Sequence, residues 1–334
     1  MIGSFGITGH HDIAKYRGPG VAIGRSGASI GVATYCSEDY WPLNTCLFVK
    51  DFKGNDPRWV FYFLDSIDFT AYNSGSAQPS LNRNYLSHIP VALPPIQEQR
   101  GIAATLGALD DKIESNRRIV TLIPQLIRAQ VIASLNSGSS EVAVADLAEF
   151  VNGGAYTKGA SGTGRMVIRI AELNSGPGGS TVYNDIEVPE DKVARAGDIL
   201  MSWSGSLGVY RWVLGEAIVN QHIFKVLPTD GYPAWLVFDR LDAVMPVFRG
   251  IAKDKATTMG HIQRGHLSST FIDVPGPAVV GQLHYQVAPL WDRLLVAEQE
   301  NLLLASLRDT LLPELLSGRI RVPEAQEAVA GARL

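Results

Sequence analysis

Apolar positions follow two regimes along this chain. Two long stretches carry them at alternating three- and four-residue spacing, and the rest breaks into short β-branched runs punctuated by glycine. In the first long stretch they fall at Leu106, Leu109, Ile113, Val120, Ile123 and Ile127, interrupted by Asn116. In the second they fall at Val287, Leu290, Leu294, Ala297, Leu304 and Leu311, interrupted by Asn301 and Arg308. Such spacing gathers side chains into a narrow stripe, as in a helix that pairs with another helix. One stripe alone would equally suit a helix lying on its own domain; two matched stripes favour pairing. Both stretches start just after prolines, Pro94-Pro95 and Pro275 with Pro277, as helix starts often do. The first fades into a Ser/Gly/Asn linker at 134–140, and the second ends at Leu315-Leu316-Ser317-Gly318, where Gly318 can cap it. Each helix is expected to run on the order of 35–40 residues, about 55–60 Å at 1.5 Å per residue. Pro124 predicts a kink in the first.

The chain also repeats itself. Arg83 falls on Arg264, Leu86 on Leu267 and Ser87 on Ser268 at one constant shift, and Val91-Ala92-Leu93-Pro94 falls on Ile272-Asp273-Val274-Pro275. The same shift places Leu109-Asp110-Asp111-Lys112-Ile113 on Leu290-Trp291-Asp292-Arg293-Leu294. Upstream, Gly27-Ala28-Ser29-Ile30-Gly31-Val32 matches Gly205-Ser206-Leu207-Gly208-Val209 with one gap. Three matches in one order mean a duplication. Each repeat pairs a Gly-rich, strand-bearing part with one long helix. The expected division is a recognition-type domain over 1–95, a central helix over 96–136, a second domain over 141–277, a distal helix over 278–318 and a tail over 319–334. The second repeat opens near Val142, and Met1 already falls well inside the first, so the first domain is expected to lack its opening. The fold class is α/β (α+β), with two pseudo-repeated domains and two long helices pairing as an antiparallel coiled coil.

Composition narrows the function. The 334 residues suffice for two cores. No run of 18 uncharged apolar residues appears, and the N-terminus lacks a basic-then-apolar leader, so a cytoplasmic protein with no membrane role is expected. The net charge of −4 is unusual for a free-standing nucleic-acid binder and points to work within a larger assembly. Cys36 and Cys46 could face each other across a hairpin, but without histidines at ligand spacing two thiols make no zinc site, and two half-buried reduced thiols are expected. No Gly-x-Gly cofactor loop follows a strand with an acid beyond it, and no nucleophile elbow or paired carboxylates stand out. Neither His10-His11 nor His261 with His266 has ligand spacing. Leu93-Pro94-Pro95-Ile96 lacks the polar and aromatic ends of the Asp/Asn-Pro-Pro-aromatic element that holds an adenine amino group. Catalytic, cofactor and metal residues are therefore expected to be absent.

One family carries these features together. Leu93-Pro94-Pro95-Ile96-Gln97-Glu98-Gln99-Arg100-Gly101-Ile102-Ala103, followed by Leu109-Asp110-Asp111-Lys112-Ile113, resembles the central conserved region of type I restriction-modification specificity subunits. Gly24-Arg25-Ser26-Gly27 with Trp41-Pro42-Leu43-Asn44-Thr45 resembles the interior of their target-recognition domains. Leu311-Leu312-Pro313-Glu314-Leu315-Leu316-Ser317-Gly318-Arg319-Ile320 is similar to their distal helix. The resemblance implies two domains reading a split double-stranded DNA target, with paired helices fixing the unread spacer. It also implies docking to two adenine-methylating modification subunits, which would hold the S-adenosylmethionine, with restriction-translocation subunits joining for cleavage. The chain itself would be a non-catalytic recognition subunit.

Candidate DNA contacts follow from residue type. Arginine grips guanine through O6 and N7, and Asn or Gln can do the same for adenine. Polar, Gly-bearing loops offer Arg25, Ser26 and Ser29, and, at the equivalent place in the second repeat, Ser202, Trp203 and Ser204. A further pair of segments offers Gln78, Asn82 and Arg83, matched by Lys253, Lys255, Thr257, Thr258, His261, Gln263 and Arg264. Arg83 and Arg264 align between repeats, so phosphate positioning is expected of them, because residues reading different half-sites should differ. Two other readings stay open: a scaffold that binds methyltransferase without reading one half-site, and a self-contained DNA-modifying enzyme.

Overall fold

The computed structural model describes residues 1–72, 80–254 and 260–332. The chain divides into two compact units, Met1–Glu114 with Leu302–Leu334, and Ser115–Asn301. In chain order the first unit opens with strands β1 (Ile2–Gly3), β2 (Gly6–Ile7), β3 (Gly20–Gly24), β4 (Ala33–Cys36) and β5 (Cys46–Phe48). Helices α1 (Pro57–Asp65) and α2 (Arg83–Leu86) follow, and then the long α3 (Ile96–Leu135), whose last part lies in the second unit. That unit continues with β6 (Ser139–Ala143), β7 (Ala148–Asn152), β8 (Arg165–Ile168), α4 (Ile170–Ser175), β9 (Val182–Asn184), β10 (Val193–Ala194) and β11 (Ile199–Ser202). After these come β12 (Gly208–Arg211), β13 (Ala217–Val219), β14 (Ile223–Pro228), α5 (Ala234–Asp254), α6 (Arg264–Ser269), β15 (Phe271–Pro275) and α7 (Pro277–Ser317). The last part of α7 and a final helix, α8 (Val322–Gly331), belong to the first unit.

The duplication is visible in the strand order. In the first unit β3 is central, flanked by β4 and β5, all antiparallel. In the second β11 is central, flanked by β12 and β14, again antiparallel, with β7 added outside β14. Both central strands, Gly-Val-Ala-Ile-Gly and Ile-Leu-Met-Ser, are buried along their whole length, which suits near-continuous apolar runs covered on both faces. The second unit adds a sheet in the order β10-β13-β8-β9, around Ile168, Leu200, Trp212 and Val219. Helix α1 starts cleanly because Asp56 accepts hydrogen bonds from the Arg58 and Trp59 amides, both at 3.0 Å, and Pro57 takes the first helical position.

The two long helices run antiparallel where each unit holds a segment of both. In the first unit Leu106, Leu109 and Ile113 of α3 share a core with Leu304, Leu311 and Leu315 of α7, and Trp59 and Tyr62 of α1 cover it. In the second, Ile123, Ile127 and Val131 of α3 share a core with Val280, Val287 and Leu294 of α7, covered by Trp235 of α5. Val120 and Leu290 pack half-buried at the same core, and Ala297 is fully buried. Asn116, the interruption in the first stripe, is completely buried yet satisfied. Its amide donates to Glu300 at 2.8 Å and accepts from Arg293 at 3.1 Å. A polar layer of this kind costs stability but fixes which residues face each other.

Three features differ from the sequence expectation. The stretch expected as a tail holds α8, whose Ala325 is fully buried in the first unit's core and whose preceding Arg321 pairs with Glu98 at 2.5 Å. Helix α3 contains an 18-residue window with a mean hydropathy of 1.2, long and apolar enough by composition to cross a membrane. Much of that apolarity is the stripe already described, together with exposed Leu122, Leu126 and Ile132. Cys36 and Cys46 are the reduced thiols expected, but they are buried rather than half-buried and are not hairpin partners. They sit on β4 and β5, opposite Gly20 and Gly24 of the strand between them, and both are free thiols in one apolar cluster. Burial pushes the Cys36 thiol up to about 11. Because the folded value lies above the unfolded one, this group favours the folded state below about pH 8.5 and loses that contribution as pH rises toward 11. Cys36 is therefore expected to resist iodoacetamide at pH 8 in the folded chain and to react once urea unfolds it, as read by mass spectrometry.

Candidate nucleic-acid interface

In each unit the central strand ends at a corner built by the same bonds. In the first unit β3 ends at Gly24, where any side chain would collide with the Ser29 carbonyl oxygen at 2.1 Å. The chain turns there, the Leu81 amide donates to the Arg25 carbonyl at 2.8 Å, and Ser26 bridges to Ser80. In the second unit β11 ends at Ser202, the Ile262 amide donates to the Trp203 carbonyl at 3.0 Å, and Ser204 bridges to His261. A short helix follows each corner, opened by Arg83 or by Arg264. Thus the structure brings together, corner by corner, residues far apart in sequence.

The candidate residues divide by exposure. Arg25, Asn82 and Arg83 are exposed and Ser26 is half-buried at the first corner; His261, Gln263 and Arg264 are exposed at the second, where Ser204 is half-buried. The Asn82 side chain accepts from the Asn84 amide at 3.0 Å and so caps α2. Arg264 donates to the Phe150 carbonyl at 2.9 Å, with its guanidinium 5.7 Å from the centre of the Phe224 ring. Ser29 and Ser202 must be withdrawn as DNA contacts because both are completely buried. The Ser29 hydroxyl donates to the Ser26 carbonyl at 2.7 Å, and the Ser202 hydroxyl donates to the Ser206 carbonyl at 2.5 Å and accepts from the Gly208 amide at 2.9 Å. They hold loops. Gln78, Lys255, Thr257 and Thr258 lie outside the described residues.

Two clefts flank the second corner. One, of about 270 Å³, is lined by Asn152, Trp203, Phe224, Ile262, Gln263 and Arg264. Trp203 is fixed there on its edge, with Nε1 donating to Asn152 Oδ1 at 2.9 Å and its ring packed against His222 at 5.0 Å. The other, of about 560 Å³, is polar and basic, lined in part by Gly205, Tyr210, Arg249 and Lys253. Arg249 also donates through Nε and Nη2 to the Leu207 carbonyl, which positions it beside the loop. Sequence reading missed Asn152, His222, Phe224 and Arg249, because their link to Trp203 is made only by strand pairing and helix packing. In the structure His222 lies between two strands with a positive φ (75°), which for a non-glycine residue marks strain often kept at functional sites.

Ion pairs hold the second unit's sheet and its α5 against its long-helix segments. Arg211 of β12 pairs with Glu298 and donates to the Trp291 carbonyl at 2.8 Å, its guanidinium 4.3 Å from the centre of that ring. Burial pushes the Glu298 carboxyl up and outweighs the opposing pull of the Arg211 charge. Arg128 of α3 pairs with Asp239 and, at 3.0 Å, with Asp242 of α5. In the first unit Arg58 of α1 pairs with Asp111 at 2.7 Å, and Tyr62 donates to Asp110 at 2.5 Å. The hydrogen bond from Arg58 holds the Asp111 carboxyl below the usual carboxylate range.

Comparison with known proteins shows what the chain is similar to. Residues 6–125 match the family model described as the type I restriction modification DNA specificity domain. Over 70 residues the chain is 29% identical to the type I restriction enzyme MjaIX specificity subunit of Methanocaldococcus jannaschii. That stretch covers 21% of this chain and 16% of that protein, so the match spans about a sixth of the curated relative's length. The fold extends further. The crystal structure of the type I restriction-modification system S subunit from M. genitalium aligns with a TM-score of 0.69 at 14% identity, covering 94% of this chain and 87% of the other. Residues 6–125 thus resemble the type I restriction-modification DNA specificity domain, and the fold of the chain is similar to that of a solved S subunit.

Proposed function

We propose that the chain is the DNA-reading, non-catalytic subunit of a cytoplasmic type I assembly. Domains over 1–95 and 141–277 each read one half of a split double-stranded target. The helices over 96–136 and 278–318 fix the unread gap and carry two adenine-methylating subunits, with restriction-translocation subunits joining for cleavage. The single observation that carries this reading is the repeated corner, with one set of backbone bonds presenting Arg25 and Arg83 in one unit and Trp203 and Arg264 in the other. Exposed Leu122, Leu126 and Ile132 on α3 support a protein partner there, since apolar side chains grouped on one exposed helix mark contact surfaces. A net charge of −4 places most phosphate neutralisation on those partners, and S-adenosylmethionine would sit on the methylating subunits. Footprinting of the assembled complex on its target tests the reading: two protected segments separated by an accessible gap are expected. Protection of one segment alone would leave the first domain a scaffold, and methyl transfer to DNA by the chain unaided would overturn the reading.

A further inference from the structure

Each corner keeps its frame and changes its tip. The residue that ties the corner down is apolar and buried in both units, Leu81 in the first and Ile262 in the second. An arginine opens the following helix in both, and the tying amide bond and the bridge are the same. Against that constant frame, the tip changes from Arg25 to Trp203 and the bridging residue from Ser80 to His261. A duplicated reader needs this combination, because groups that position the protein on DNA do the same work at both half-sites while groups that meet base edges must differ.

We propose that this corner is where each unit selects a base, Arg25 taking a guanine in the first half-site and the Trp203–Phe224 cleft a thymine in the second. The proposal rests on the DNA-reading function above and adds to it the selecting residues and the base classes. Arg25 is exposed at the tip of its corner, and its guanidinium matches the O6 and N7 acceptors of guanine bidentately. The second corner has no such fork at its tip. It offers a cleft of about 270 Å³ whose apolar wall is Trp203, Phe224 and Ile262 beside Asn152, His261, Gln263 and Arg264, with the Trp203 ring held by Asn152 and His222. The group in the major groove that such a cleft can take is the thymine 5-methyl, the apolar substituent among the base edges.

The test is a genome-wide map of methylated adenines in cells carrying the full chain with its methylating partners. Arg25→Ala removes an exposed side chain and should leave the fold intact. The expected map keeps the second half-site and the gap but loses about ten-fold preference for one guanine in the first half-site. Trp203→Ala should loosen a thymine in the second half-site only, while Trp203→Phe keeps it; thermal unfolding of the purified variants identifies any that fail to fold. An unchanged motif in Arg25→Ala, or a change confined to the other half-site or the gap, overturns the proposal while leaving the reading function standing. A wild-type map with no motif that depends on the chain overturns both.

Discussion

Leu294→Asp is expected to separate the long helices of the second unit and, on the proposed function, to abolish assembly with its partner subunits. Leu294 is 3% exposed and shares its core with Ile123, Ile127 and Val287. Replacing a buried leucine even by alanine costs about 2–5 kcal/mol, and aspartate adds a carboxylate with no partner in an apolar layer. At roughly 2–4 °C per kcal/mol for a unit of this size, the thermal midpoint should fall by about 10 °C or more. A matched change on the exposed side of the same helix within that unit, Val296→Asp, should move it little, because Val296 is 44% exposed. Calorimetry on the two variants checks this. Equal midpoints would show that the stripe is not a pairing surface.

The second large effect belongs to Asp239→Ala. Asp239 is buried in α5 between two arginines, accepting from Arg128 and, through Oδ2, from Arg240 at 2.9 and 2.5 Å. The Arg240 side chain is itself only 5% exposed and also donates to the Asp273 carbonyl at 3.3 Å. Removing the carboxylate strands that guanidinium in the interior, a loss of about 3–5 kcal/mol when one partner of a buried pair is deleted. Denaturant unfolding should show a lower midpoint with an unchanged slope. Asp239→Asn, which keeps an acceptor without the charge, should fall between wild type and alanine. No difference between Ala and wild type would mean that the pair merely breaks even against water.

Much of the architecture was legible because it rests on periodicity. The 3-4 spacing from Leu106 to Ile127 and from Val287 to Leu311 survives single interruptions, and the stripe residues all come to rest buried or half-buried along the paired helices. The repeat was legible because a frame residue such as Arg83 or Arg264 keeps its place in order. What stayed hidden is made of long-range contacts. Nothing near Asn116 announces that Glu300 and Arg293 will satisfy it, and nothing near Trp203 names Asn152 as the acceptor for its indole. Helix α8 read as a tail because it is short and rich in Ala and Glu, with no stripe of its own; its helix is supported by packing Ala325 onto the first unit's core. Residue type alone also misjudged Ser29 and Ser202, since a hydroxyl beside a glycine serves a tight loop as readily as a DNA backbone.

The claim that one chain sets a two-part target is most directly tested by mapping methylated adenines in the source genome with and without this gene. The account predicts a motif of two short defined parts separated by a gap of constant length, present with the gene and gone when it is deleted. A methylation pattern that survives the deletion, or a chain-dependent motif that is one uninterrupted sequence, would contradict it.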